Sequence, residues 1–246
     1  VRFVKRVSRR ALLSAGALVT SSKILDASAR TISGEMPWAP GEANAPSQPT
    51  PGLLQFFSEQ EAAFIDAATS RLIPTDDLGP GAKEANVLFF LDRQLAGPYG
   101  RADRWYMRGP WPKGSKSQGF QSRQSPAQIY RTAIKEIDDH CRSTGQKKSF
   151  VELSADEQDK VLKDLEGGKI KLPSTSSDSF FTMFLQNTIE GFFSDPIHGG
   201  NRDMVGWKLI GFPGARYDYR PYVAKHNQKV DLEPVSIAGR KGWNAG

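Results

Sequence analysis

Cysteine is almost absent from this chain. Cys141 is the single thiol in 246 residues, so no internal disulfide can close, and cysteine-built zinc or iron–sulfur sites, which need several thiolates, are excluded. Long apolar runs are also missing. Mean hydropathy is −0.48, and no stretch approaches the roughly 18 apolar residues of a membrane span, so the chain is not expected to cross a bilayer by its own means. The sequence has no G-x-G-x-x-G opening a dinucleotide fold, no C-x-x-C-H for covalent haem, no H-E-x-x-H and no G-x-S-x-G. The three histidines, His140, His198 and His226, lie far apart. Asp195, His198 and Asp203 can be drawn as a metal set, but their spacing is not diagnostic of one.

What is present begins with charge. The formal balance of +6 looks like a nucleic-acid signal until the charges are placed. Residues 1–29 carry Arg2, Lys5, Arg6, Arg9, Arg10 and Lys23 against Asp26, a net of +5; taking that from +6 leaves +1 for the remainder. The basicity sits in the first thirty residues. There Ser8-Arg9-Arg10-Ala11-Leu12-Leu13-Ser14 matches the twin-arginine pattern, a weakly apolar stretch runs to Thr20, and Ala27-Ser28-Ala29 offers a small-residue cleavage site ending at Ala29. The order of basic, apolar and small-residue regions is that of an export signal. Twin-arginine export carries folded cargo, so a chain without a cofactor motif is expected to travel with a partner that has one.

Four segments follow from composition and pattern. Residues 1–29 read as the signal peptide and 30–54 as an extended arm containing Pro37, Pro40, Pro46, Pro49 and Pro51. Residues 55–228 read as a helical domain, and 229–246 as a C-terminal tail. Within the domain, Ser58 with Glu61 forms a capping box ahead of Ala62, Phe64, Ile65, Ala68 and Leu72, and Pro74 stops that helix. A second helix is predicted over Ala82–Leu95, and a third from Pro126 to near Gly145. A fourth starts behind the Ser154/Glu157 box and closes at Gly167-Gly168. A fifth runs from Ser177 or Asp178 through Phe180, Phe184, Ile189 and Phe193, and a short sixth covers Asp203–Leu209. No segment alternates with a period of two. The fold class is therefore all-α, a compact bundle of about five helices with long loops and an extended Pro-rich N-terminal arm.

Two segments stand out. The stretch Gly97–Gln124 is too long for an idle loop in a compact domain. It holds Arg101, Arg104, Arg108, Lys113, Lys116 and Arg123 against Asp103, interleaved with Tyr99, Trp105, Tyr106, Trp111 and Phe120. Basic and aromatic residues together suit single-stranded nucleic acid or a protein interface, and the export signal favours the protein. The second segment, Gly191–Gly214, is glycine-dense and lets backbones approach closely. Asn201 or Asp203 can cap its short helix and Trp207 can anchor that helix in the core. Cys141, at a helix C-terminal end beside Asp138 and Asp139, reads as a core cysteine, because the helix dipole there disfavours a thiolate.

The run Asp195–Gly214 resembles the signature of subunit 3 of gluconate 2-dehydrogenase, the small subunit of bacterial membrane-bound flavoprotein dehydrogenases. The stretch Leu91–Gly100, then Trp105-Tyr106 and Gly109-Pro110, and the turn Pro80-Gly81-Ala82 are also similar, and the likeness covers roughly residues 55–220. The resemblance implies a complex in which a large subunit binds FAD and oxidises a sugar or sugar acid. A multihaem cytochrome c subunit passes electrons on and supplies the membrane contact. The small subunit carries no catalytic, cofactor or metal residue and supports maturation, stability and export of its flavoprotein partner. It places the chain in the periplasm, on the outer face of the cytoplasmic membrane, with the twin-arginine translocase as a further partner and nucleic acid as none. Expected partner contacts are Arg104, Trp105, Tyr106, Arg108 and Trp111 on the loop, and His198, Asn201, Arg202 and Asp203 on the glycine-rich segment. The alternatives are a self-sufficient periplasmic enzyme using Asp195, His198 and Asp203 as acid–base groups, or a small-ligand-binding protein with a large apolar pocket.

Overall fold

The computed structural model describes residues 52–237 apart from 113, 145–146, 217–218 and 230–231. The twin-arginine pair Arg9-Arg10, the cleavage site at Ala29, nearly all of the Pro-rich arm and the last nine residues lie outside the described residues. The described part is helical, with isolated β bridges between Asp76 and Gly79 and between Gly214 and Val235. No described helix is long and apolar enough to cross a membrane.

Helix α1, Glu59–Leu72, opens on the expected capping box: the Ser58 amide donates to Glu61 Oε2 at 2.8 Å and the Glu61 amide to Ser58 Oγ at 3.3 Å. Helix α2, Val87–Ala96, starts five residues later than the alanine-rich pattern predicts. Residues 82–86 turn instead, because Asn86 is left-handed at φ 63° and because Gly81 backs onto the end of α1. A Cβ at Gly81 would lie 2.5 Å from the Ile73 carbonyl oxygen, and the Ala82 amide donates to that same oxygen. Ala82 and Ala85 are buried by this close approach rather than by a helix face. Gly97 ends α2 and leads into a single turn, α3, Pro98–Arg101.

Helix α4, Pro126–Ser143, opens on a capping box that the sequence reading did not include, Ser125 with Gln128, and buries Ile129, Tyr130, Ala133, Ile134, Ile137 and Cys141 along one stripe. Helix α5, Ala155–Glu166, follows the Ser154/Glu157 box and stops at Gly167, with Gly168 left-handed behind it. Helix α6, Ser177–Phe193, packs against α1, α2, α4 and α5. Helix α7, Val205–Ile210, lies beyond it. The core is ring-rich. Phe64 meets Phe150 at 4.7 Å, and Tyr130 meets Phe180 and Phe184 at 5.6 and 6.2 Å. Each fully buried phenylalanine contributes about 2 kcal/mol of transfer free energy. The bidentate Arg71–Asp159 pair, both contacts at 2.7 Å, fastens α1 to α5.

Both ends of the predicted domain extend further than expected. Leu54, assigned to the arm, packs on the core. At the other end, Val235 and Ser236, assigned to the tail, are buried. The Ala215 amide donates to Val235 O at 2.7 Å, and the Ile237 amide and Ser236 hydroxyl donate to the Asp195 carboxylate at 2.9 and 2.7 Å. This strap reaches the glycine-rich segment from the far end of the chain.

Cys141 is buried in the α4 stripe. Burial, reinforced by the nearby Asp138 charge, pushes its thiol up to about 11. A thiol raised in the folded state favours folding fully below its unfolded pKa, and that contribution is lost as pH rises through about 11. The same shift lowers the native thiolate fraction near pH 8 roughly a hundredfold. Labelling of the native chain by a disulfide reagent at pH 8 is therefore expected to be at least ~100-fold slower than in denaturant. Equal rates would show Cys141 to be accessible.

Candidate docking surfaces

The loop between α3 and α4 is held from beneath. The Asn187 side-chain amide on α6 donates to the hydroxyls of Tyr99 and Tyr130, each at 2.8 Å, and Tyr99 donates back to Asn187 Oδ1 at 3.2 Å. Burial raises the pKa of both phenols, so this network stays neutral. Trp105 stands edge-on to Tyr99 at 5.7 Å and against Phe120 at 4.5 Å. Above these rings opens a groove of about 590 Å³, lined among others by Trp105, Tyr106, Arg108, Trp111, Phe120 and Gln121. The sequence-predicted residues Trp105, Tyr106, Arg108 and Trp111 are thus brought together on one concavity. Tyr106 is 80% exposed.

The charge of the loop is one-sided. Arg101 is spent on Asp103 at 2.7 Å and on the Ala96 carbonyl. Arg104, Arg108 and Arg123 are exposed, and no described acidic group forms an ion pair with them. Lys113 and the side chain of Lys116 lie outside the described residues.

The glycine-rich segment divides its polar residues between fold and surface. Asn201 is a correction to the predicted contact set: it is 0% exposed and cannot reach a partner. Its amide donates to Ser194 O at 2.8 Å and its Oδ1 accepts from the Gly206 amide at 2.8 Å, so it caps α7 from within, as its predicted capping role requires. Backbone here passes left-handed at Asn201, Asp203 and Met204. It is pinned by Arg202 N to Ala85 O at 3.1 Å and by Asn86 Nδ2 to Gly199 O at 3.0 Å. Trp207 anchors α7 through its indole N–H to Phe193 O at 2.7 Å. The side chains of His198, Arg202 and Asp203 are exposed.

An apolar rim adjoins His198. His198 lines a shallow depression of about 530 Å³ with Phe90, Gln94, Ile189, Glu190, Phe193 and Ser194. Ile189, predicted with the core stripe of its helix, is 39% exposed there, and Leu209, Ile210 and Phe212 also face solvent. The signal for this surface was an α6 sequence apolar on more than one face, which a single-stripe reading assigns wholly to the core.

Acid–base chemistry at Asp195 finds no support in the geometry. Its Oδ1 accepts from the Ile197 amide at 3.0 Å and from Ser236, and its Oδ2 accepts from the Ile237 amide. The His198 amide donates to the Asp195 backbone carbonyl at 3.0 Å, but the Asp195 carboxylate makes no described hydrogen bond to the side chain of His198 or Asp203. Among the described residues no group of three His, Cys, Asp or Glu side chains is placed to hold a metal.

These features define a helical domain with two exposed surfaces, one basic and aromatic, the other glycine-built with an apolar rim. The chain belongs to the gluconate 2-dehydrogenase subunit 3 family, whose model matches residues 59–214. The match runs from the first residue of α1 to the glycine that receives the C-terminal strap, and it includes both surfaces. No curated protein and no solved structure matches the chain. Membership makes the protein a subunit of a dehydrogenase complex that associates with other gluconate dehydrogenase subunits.

Proposed function

We propose that the chain is the non-catalytic small subunit of a membrane-bound, FAD-dependent sugar or sugar-acid dehydrogenase. It docks on the flavoprotein and favours that partner's folded state by mass action. FAD resides on the large subunit and haem c on a cytochrome subunit. The leader at Arg9-Arg10, cleaved after Ala29, carries the folded pair through the twin-arginine translocase to the outer face of the cytoplasmic membrane. The observation that carries this reading is the family match over residues 59–214, the stretch that holds both exposed surfaces. The side chains turned outward there suit docking: Tyr106, the tryptophans of the loop and unpaired arginines are the residue types that dominate protein interfaces.

The decisive experiment is capture of the tagged chain from bacterial membranes with an absorption spectrum of the eluate. Flavin and haem c bands with a large co-purifying protein support the proposal; a colourless, lone chain defeats it. Two charge reversals locate the contact. Arg104→Glu probes the loop and Arg202→Glu the glycine-rich surface, and both side chains are exposed, so the melting temperature should hold. Reversal on the docking face is expected to lower captured flavoprotein about tenfold, a loss of roughly 1.4 kcal/mol. Full capture by both variants would remove these two surfaces from the interface.

A further inference from the structure

We infer that the groove of the 97–124 loop is the seat of the chain's own proline-rich segment, residues 39–51. The groove floor and walls are rings, Trp105, Tyr106, Trp111 and Phe120. Aromatic-lined grooves of this kind take polyproline II segments, which are extended before binding and so lose little entropy when they dock. Residues 39–51 contain Pro40, Pro46, Pro49 and Pro51. Pro46-Ser47-Gln48-Pro49 spaces two prolines by three residues, which places both on the same side of a helix with three residues per turn.

Charge points the same way. Glu42 is the only charged residue of the segment. Arg108 lines the groove, with Arg104 and Arg123 on the same loop, and none of the three has a described acidic partner.

Connectivity brings the two together. The segment leads into Phe56, whose carbonyl accepts from Arg131 Nη2 at 2.6 Å and whose ring lies 4.3 Å from that guanidinium. The loop joins the same helix at Ser125-Pro126, six residues before Arg131, or about 9 Å along the axis at ~1.5 Å per residue. Thirteen residues in polyproline II conformation span about 40 Å at ~3.1 Å each, so reach sets no limit. Tethering also raises the segment's effective concentration at the groove to about the millimolar range. The seat forms within the free chain and needs no partner; in the complex, arm and loop together face the flavoprotein.

The test uses the full chain with a nitroxide on Asn44→Cys; buried Cys141 leaves residue 44 as the labelled site. The indole N–H signals of Trp105 and Trp111 are expected to lose most of their intensity, while that of Trp207, seated at the C-terminal end of α6, keeps its own. Adding Pro46→Ser and Pro49→Ser should restore the two lost signals. Equal broadening of all three indoles, or broadening indifferent to the prolines, overturns the assignment. So does broadening that appears only when labelled and isotopically enriched chains are mixed, which would place a second copy in the groove. All of these readings come from the isolated chain, so they succeed or fail separately from the capture experiment.

Discussion

Asp92→Ala is expected to cost about 4 kcal/mol of stability, more than any charge on the surface is worth. Asp92 is 0% exposed in the middle of α2. Its Oδ2 accepts from the Gln55 amide at 2.8 Å and its Oδ1 from the Phe56 and Phe57 amides at 2.9 and 3.0 Å. Burying a carboxylate costs several kcal/mol unless hydrogen bonds replace its water, and three successive N–H groups supply that replacement here. Removing the carboxylate strands a buried donor at Phe57, loses two charge-assisted bonds at its neighbours and opens a void. The core at Phe57 then loosens, and with it the base of the arm. For a domain of this size the loss corresponds to a fall in melting temperature of roughly 8–16 °C. Asp92→Asn, with the same shape but one acceptor oxygen, should lose about half as much. Urea titration measures both, and a loss under about 1 kcal/mol for the alanine variant would show that the carboxylate is not the anchor.

Local signals were the legible part of this fold. The serine boxes at Ser58 and Ser154 start helices where they were read, because a capping box is satisfied by residues three apart and needs nothing from the rest of the chain. Ala82–Asn86 was misread for the opposite reason. Its alanines favour a helix, but the approach of Gly81 to the end of α1 is a tertiary fact with no local trace, and it outweighs propensity.

The two candidate surfaces were half legible. The rings and arginines of residues 97–124 announced an unusual loop, whereas the packing of Trp105 on Phe120, fifteen positions away, did not. Asn201 was misplaced because a polar residue in a glycine-rich stretch reads as surface. Left-handed backbone there leaves amides and carbonyls that helix bonds cannot serve, and a buried side-chain amide is what serves them. The strap at Val235–Ile237 was beyond reach of pattern: one buried valine and a few hydrogen bonds to Asp195 carry no periodicity.

Gly200→Ala should be strongly damaging although it adds a single carbon to the glycine-rich segment. Gly200 has an ordinary φ, so the penalty is not conformational. A methyl group at this position would lie 2.2 Å from the Gly191 carbonyl oxygen and 3.0 Å from the carbon behind it, both backbone atoms of α6. A helix backbone cannot step aside as a side-chain tip can. Gly191 is itself closed in from its other side, since a Cβ there would meet the Phe90 ring at 2.8 Å. The two glycines let α2, α6 and the segment stack without intervening side chains, and Asn201 follows at once with its two internal hydrogen bonds. Forcing the strands of this stack apart is expected to cost about 3 kcal/mol, or roughly 6–12 °C in melting temperature. It should also displace His198 from its place beside the apolar rim and Arg202 from its bond to the Ala85 carbonyl. Gly211→Ala serves as the contrast. Nothing lies within 4 Å of its added carbon, so only the left-handed φ of 67° is penalised, at about 1 kcal/mol. Calorimetry of the two variants decides the matter. A Gly200→Ala protein as stable as the Gly211→Ala protein would mean that the segment can rise off α6 freely. A surface able to do that could not hold His198 and Arg202 in fixed positions for a partner.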